Sequence, residues 1–333
     1  PSSAAQGRIS SRLACDSAMF TGVENWTRIE LADSALDAPA YVGSRSSTVT
    51  SAPASRVRNQ AAAAPITPPP TITTLVFAME LRVYSADEVH AALPWARLAD
   101  ALEAAFVDGA TQVPLRHAHA LSAADTLLLM PAWRPDALGV KLVTVMPGAA
   151  ARGAGTVQAA YLLLDRHTGV PQALLDGEAL TLRRTAAASA LAARHLALPD
   201  ARRLLVVGTG RLAPWMARAH VALRPSLAEV SVWGRDGTRA AGIVRTLRDE
   251  GIDATVSGDL PSAVARAQVV SCATTSTVPL VQGAWLAAGT HLDLVGGFRR
   301  DMREVDDAAV ARARVAVDTY AGALAEAGDL VQP

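Results

Sequence analysis

Apolar and polar positions divide the 333-residue chain into two unlike parts. Residues 1–78 carry no sustained apolar period and are rich in Ser, Ala, Thr and Pro, with AAAAPITPPPTITT at 61–74. Such a segment buries too little apolar surface to offset its ordering entropy, so a disordered extension is expected there. From Met79 the pattern becomes globular. Ser85 and Glu88 stand at capping-box spacing, where each side chain satisfies the other residue's backbone N–H. ARLADALEAAFVDGA (96–110) repeats its apolar residues at helical intervals. Strand-like runs follow at TLLLMPAW (126–133), GVKLVTVM (139–146) and VQAAYLLLD (157–165), then turn chemistry in HTGVPQALLDG (167–177). The Ala-rich LTLRRTAAASALAARHLAL (180–198) predicts a long helix.

Beyond it, strands and helices alternate: RRLLVVG, an Ala-rich helix, EVSVWG, a second helix, ATV, PSAVARA, QVVSCA, THLDLVG and RVAVDTY. Alternation of this kind predicts a parallel sheet with helical crossovers. The fold class is therefore α/β. Its expected organisation is the extension at 1–78, a first globular domain at 79–196 and a parallel-sheet domain at 197–333.

The motif that carries chemistry is LLVVGTGRLA (204–213). An apolar strand runs into Gly208-Thr209-Gly210, and Arg211, Leu212 and Ala213 open a helix. This is the G-x-G-x-x-A form of the dinucleotide-binding turn. Gly208 permits the tight turn, Gly210 lets backbone approach a pyrophosphate, and Ala213 allows close helix–strand packing. The helix N-terminus supplies free N–H groups and partial positive charge. An acid should end the next strand about 20 residues on if the cofactor is NAD. Here EVSVW ends in Gly234-Arg235-Asp236. Arg235 suits a 2′-phosphate, so NADP(H) is favoured over NAD(H); the alternative leaves Arg235 solvated and gives the ribose to Asp236.

Composition narrows the classes. Half the residues are apolar, enough for a sizeable core. No apolar run reaches the roughly 18 residues of a membrane span. Thirty-one basic and 31 acidic residues cancel, which argues against a nucleic-acid partner held through phosphates. Cys15 and Cys272 cannot build a disulfide framework and suit a reducing cytoplasm. His117 and His119 lack the further ligands of a metal site, and none is expected. Among the 31 basic residues Lys141 is the one lysine. Lysine, unlike arginine, can release a proton near neutral pH when its pKa is lowered.

Lys141, Gly155-Thr156-Val157-Gln158-Ala159 and Arg184-Thr185-Ala186-Ala187 precede the glycine turn; Val295-Gly296-Gly297 and Met302-Arg303-Glu304 follow it. This ordered set resembles the ornithine cyclodeaminase/μ-crystallin family from about Met79 to the end. The resemblance implies an α+β substrate-binding and dimerisation domain before the Rossmann domain, a homodimer, and a C-terminal return segment that is expected after AEAGDLVQP and not found in this sequence. It implies that Arg116 and Lys141 hold a substrate carboxylate and that Thr156 and Arg184 lie beside cofactor and substrate. Arg211 and Leu212 would lie over the pyrophosphate, with Thr274, Val295 and Gly296 completing the cofactor wall beside Gly208, Gly210 and Arg235. Arg183, by contrast, reads as a helix-surface charge. Where cyclodeaminases carry a general acid/base, this chain has Phe298, and Asp301 lies three residues on. The resemblance then implies an NAD(P)H-dependent reductase of a small cyclic imino acid such as Δ1-pyrroline-2-carboxylate, with Lys141 as orienting group or proton source. The alternatives are ornithine cyclodeaminase and a μ-crystallin-like protein that binds NADPH and a small ligand without turnover.

Overall fold

Two sheets organise residues 81–333, the part of the chain that the computed structural model describes. The expectation for 1–78 lies outside the described residues. The first sheet begins with β1 (Arg82–Tyr84), followed by α1 (Ala86–Ala92) and α2 (Trp95–Asp108). It continues through β2 (His117–Ala120), β3 (Thr126–Arg134), β4 (Ala137–Val145), β5 (Val157–Leu164) and β6 (Pro171–Asp176). The strand order is β1-β6-β5-β4-β3-β2, antiparallel except for β1 beside β6. The capping box forms: Ser85 N donates to Glu88 Oε2 at 2.9 Å, and Glu88 N to Ser85 Oγ at 3.4 Å.

Strand β4 shows why this sheet has two unlike faces. Ala137, Gly139, Lys141 and Val143 are buried, and the residues between them are half-buried. Cross-strand pairing puts Leu142 beside Leu129 and Val140 beside Leu162, and Leu162 pairs onward with Leu174. That outer face is wholly apolar at these positions. The inner face packs Tyr161 and Leu175 against Leu98 and Leu102 of α2.

Helix α3 (Gly177–Leu196) starts three residues before the apolar pattern suggests. Asp176 caps it, accepting from Ala179 N at 2.7 Å. Glycine at 177 lets the first turn press on β5, where a Cβ would stand 2.6 Å from Ala159 C and 2.7 Å from Ala160 N. The alanines of α3 then serve different neighbours. Ala187 and Leu191 join the core of the first sheet, Ala193 joins that of the second, and Ala186 and Ala190 pack on Met216 and Ala219.

The second sheet is parallel throughout. Its elements are β7 (Arg203–Val207), α4 (Ala213–Leu223), β8 (Glu229–Trp233), α5 (Gly237–Asp249), β9 (Ala254–Val256), α6 (Leu260–Arg266), β10 (Val269–Cys272) and β11 (His291–Leu294). The order β11-β10-β7-β8-β9 makes β7 central, with the strand order reversing between β7 and β10. Leu204 to Val207 are buried on both faces, as a covered parallel strand requires. RVAVDTY, expected as a further strand, pairs with none of the named strands, although Ala316 makes a single β-bridge. After α7 (Asp307–Arg312) its residues otherwise run as a link, half-buried at Val315 and Val317. Thr319 ends the link as the cap of α8 (Tyr320–Glu326), and α9 (Gly328–Val331) follows. A short apolar alternation is satisfied by such a link as well as by a ladder.

Arg183 also departs from its expectation. It is half-buried, its guanidinium lies 3.9 Å from the Trp95 ring centroid, and its Nε donates to Leu93 O at 2.8 Å. Trp215 of α4 stacks on His90 of α1 at 4.1 Å, so aromatic and cationic side chains join the two helical layers. Sequence spacing alone does not show this cluster, because its members come from four helices.

The close approach at Gly177 is open to direct test. Gly177→Ala should cost about 1–3 kcal/mol, the scale of overpacking against backbone. Gly242→Ala, in the interior of α5 with nothing within 4 Å of its Cβ, should instead gain about 0.5–1 kcal/mol. Denaturant unfolding of both variants measures this; equal effects would contradict the packing described.

Candidate functional site

The glycine turn lies where the strand order reverses. Gly208 has φ +129°, and a Cβ there would stand 2.5 Å from Ala273 O, so only glycine joins the ends of β7 and β10 this closely. Gly210 is exposed, and a Cβ there meets nothing nearer than Ala273 O at 4.0 Å. Helix α4 opens with Leu212 at its N-cap and no side-chain cap, whereas Asp236, Asp259 and Asp306 cap α5, α6 and α7. The first turn of α4 is thus left to an outside acceptor, at the place where parallel sheets bind nucleotide phosphates. The turn fits a dinucleotide. Arg211 is exposed and reaches Glu178 Oε1 at 2.6 Å, on the first turn of α3. Half-buried Leu212 packs beside Met216.

At the end of β8, a Cβ on Gly234 would meet the Thr209 methyl group, so a side chain there would require Thr209 to turn away. Asp236 is committed to capping α5, accepting from Thr238 N at 2.9 Å and Arg239 N at 3.3 Å. Arg235 is exposed.

One buried carboxylate ties together the ends of β10 and β11. Glu304 Oε1 accepts from Thr274 N at 2.7 Å and Thr274 Oγ1 at 2.8 Å, and Oε2 accepts from Gly296 N at 2.8 Å. Side chains are excluded at Gly296, where a Cβ would strike Thr274 O and the Glu304 carboxylate. Val295 N donates to Cys272 O at 3.1 Å. Burial pushes the Glu304 carboxyl up to about 7, with Asp329 adding to the rise and the three hydrogen bonds opposing it. Asp329 in turn accepts from Glu304 N at 2.8 Å and Val305 N at 2.9 Å. The intervening loop exposes 51% of Phe298 and pairs Asp301 with Arg299 at 2.9 Å, so Asp301 faces solvent rather than the site.

Lys141 is 5% exposed on the inner face of β4. Its Nζ donates to Thr181 Oγ1 of α3 at 3.3 Å. Burial first, then Arg184 and then Arg116, together lower its pKa to about 7. The influence of both arginines on Lys141, and of Arg116 on Arg184, puts three predicted residues, Arg116, Lys141 and Arg184, in one electrostatic neighbourhood. Burial likewise pulls Arg184 down to about 10, with Asp318 opposing and Arg116 assisting. Some of the Arg184 side chain meets solvent, but its Nε is buried with no hydrogen-bond partner among the described residues. Arg116 pairs with Glu326 of α8. Asp318 is exposed, yet desolvation of its carboxyl raises its pKa, with the Thr319 N–H and Arg184 opposing the rise.

Thr156 is not gathered with these cations. It is exposed, beyond the Val145–Val157 end of the β4–β5 ladder, whereas Lys141 pairs with Tyr161 in the middle. Sequence reasoning missed Thr181, Glu178, Asp318 and Glu326. Thr181 and Glu178 share the turn that precedes Arg184, and that proximity was the available signal. Nothing local marks Asp318 and Glu326, which arrive from the far end of the chain. Among the described residues no group of His, Cys, Asp and Glu is arranged to hold a metal, and no helix is long and apolar enough to cross a membrane.

Residues 79–332 match the model of the ornithine cyclodeaminase/mu-crystallin family. The chain belongs to that family. Within it, Delta(1)-pyrroline-2-carboxylate reductase of Paracoccus denitrificans is 43% identical over 209 residues, which are 62% of this chain and 66% of that protein. A solved structure of Thermococcus litoralis Delta(1)-pyrroline-2-carboxylate reductase with NADH and L-proline superposes with TM-score 0.71 at 30% identity, covering 76% of this chain and 80% of that one. An archaeal alanine dehydrogenase dimer with bound NAD gives TM-score 0.68 at 26% identity, covering 74% and 77%. The ornithine cyclodeaminase/mu-crystallin architecture, a Rossmann sheet joined to a mixed sheet, is the one described above.

Glu304 sets a pH dependence of stability. Its folded pKa of about 7 lies above the ordinary 4.5 of a glutamate, so the folded chain holds the extra proton between those values. Stability from this group is full below about 4.5 and is lost as pH rises through about 7. Glu304→Gln should flatten that decline in unfolding free energy measured at successive pH values. An unchanged decline would show that another group causes it.

Proposed function

We propose that the chain is an NAD(P)H-dependent reductase of a small cyclic imino acid such as Δ1-pyrroline-2-carboxylate, with its first globular part (79–196) receiving the substrate and the Rossmann part (197–333) the cofactor. The observation that carries this reading is the buried, unpartnered Arg184 Nε beside Arg116 and Lys141. A planar carboxylate supplies the acceptors such donors lack. The names of the Paracoccus and Thermococcus relatives support the same chemistry.

Gly208, Gly210, the open first turn of α4 and Arg211 hold the pyrophosphate, while Thr274, Val295 and Gly296 form the wall at the nicotinamide end. NADP(H) is favoured over NAD(H), because Gly234 supplies no acid at the end of β8 and exposed Arg235 can meet a 2′-phosphate. The bound nicotinamide supplies a hydride to the imine carbon. Arg116 and Arg184 clamp the substrate carboxylate. Lys141, with a pKa of about 7, delivers a proton to the imine nitrogen, so C=N becomes CH–NH and Lys141 is left neutral. Phe298 offers no proton-transferring group for ring closure with loss of ammonia, which disfavours the cyclodeaminase reading.

The partner is a second copy of the chain, laid on the outer face of the first sheet. The apolar row of Leu129, Val140, Leu142, Leu162 and Leu174 argues for it, and the archaeal relative is a dimer. Sedimentation equilibrium should give twice the 34.6 kDa chain mass; a monomer at micromolar concentration would contradict the dimer.

Turnover tests the central reading. The protein should consume NADPH with Δ1-pyrroline-2-carboxylate and release no ammonia from ornithine; the reverse would overturn it. Gly210→Val should abolish nicotinamide binding in calorimetry without moving Tm, since the position is open in the fold. Arg235→Ala should weaken NADPH more than NADH, and equal weakening would remove Arg235 from 2′-phosphate recognition.

A further inference from the structure

Lys141 reaches Thr181, a residue outside the ligand-facing motifs. Thr181 sits one turn into α3, and that turn is fixed in two ways. Gly177 presses on Ala159 and Ala160 of β5, and Asp176 caps the helix. Thr181 Oγ1 donates its only hydrogen to Gly177 O at 2.7 Å, the i−4 carbonyl. The same oxygen lies 3.3 Å from Lys141 Nζ. A hydroxyl whose hydrogen is committed can only accept from Nζ. A neutral amine would turn a lone pair toward Oγ1 only against the hydroxyl's own lone pairs.

We propose that Thr181 is a positioning residue for Lys141: by presenting lone pairs alone to Nζ, it retains the N–H directed at α3 and leaves the transferable proton on the side away from the helix. The proposal rests on the reading of Lys141 as proton donor. Thr181 touches no substrate in this scheme and acts through Lys141. Its acceptor also favours the ammonium form, opposing the depression that burial and the two arginines impose.

Steady-state kinetics of the purified full chain with NADPH and Δ1-pyrroline-2-carboxylate, across pH, provide the test. Thr181→Val keeps the side-chain shape and removes the acceptor. It should lower kcat by roughly 10-fold or more, within the range of a disturbed proton transfer, with KM for the imino acid within about twofold of the parent because the arginine clamp is intact. The fall of kcat at high pH should move to lower pH, since Lys141 loses an acceptor. Thr181→Ser should restore both kcat and the pH profile. Parental kcat and pH profile in Thr181→Val overturn the proposal, as does an equal loss in Thr181→Ser, which would mark a packing role. Lys141→Met separates this from the reading beneath it. A Lys141→Met variant with parental kcat removes Lys141 as donor, whereas an inactive Lys141→Met beside a parental Thr181→Val defeats only the role of Thr181.

Discussion

Positive charge taken out of water must be neutralised, discharged or offered to an anion. Lys141 and Arg184 are both desolvated, Arg184 and Arg116 depress Lys141, and Arg116 depresses Arg184. The fold meets this constraint in all three ways. Glu326 pairs with Arg116, Asp318 opposes the depression of Arg184, and Lys141 drops to about 7 so that it is charged only part of the time. Arg184 Nε keeps an unfilled donor. The polypeptide past Asp307 therefore does more than finish the Rossmann part. It brings the two carboxylates that make the cation cluster tolerable.

The two halves of the site meet through α3. Its first turn carries Glu178, which holds Arg211 of the glycine turn, and Thr181, which holds Lys141. Further along, the alanines of α3 pack on α4, the helix that the glycine turn opens. Geometry at the phosphate turn and at Lys141 thus depends on one helix, and the helix depends on the absence of a side chain at 177. Glu304 does the equivalent on the other side, joining the ends of β10 and β11 through Thr274 and Gly296 with Asp329 fixing its backbone.

Much of this was legible in the sequence, for reasons that can be named. The Rossmann part follows from local rules: an apolar strand, a glycine turn and a helix start occupy adjacent residues, and Gly208 shows by its φ why glycine is required. The capping box at Ser85 was equally local. RVAVDTY misled because alternation reports side-chain burial and says nothing about which backbone groups pair. Arg183 misled because its neighbours Trp95, His90 and Trp215 come from separate elements. The resemblance located Arg116, Lys141 and Arg184, and the structure brings them into one field. Thr156, drawn from the same resemblance, stands apart at the ladder's end. Asp318 and Glu326 were invisible as site residues because their partners lie far along the chain, whereas Glu304 was part of the Met302-Arg303-Glu304 motif without its bonds to Thr274 and Gly296 being readable.

The account turns on a lysine made acidic by burial beside two arginines. Because Lys141 is the one lysine in the sequence, protein grown with 13C,15N-lysine gives a single side-chain signal. Following its 13Cε shift by NMR from pH 5 to 11 measures the pKa directly. A midpoint near 7 is expected, moving up when Arg184 is replaced by Met. A midpoint at the ordinary 10.5, unmoved by that replacement, would contradict the electrostatic coupling on which the proposed chemistry rests.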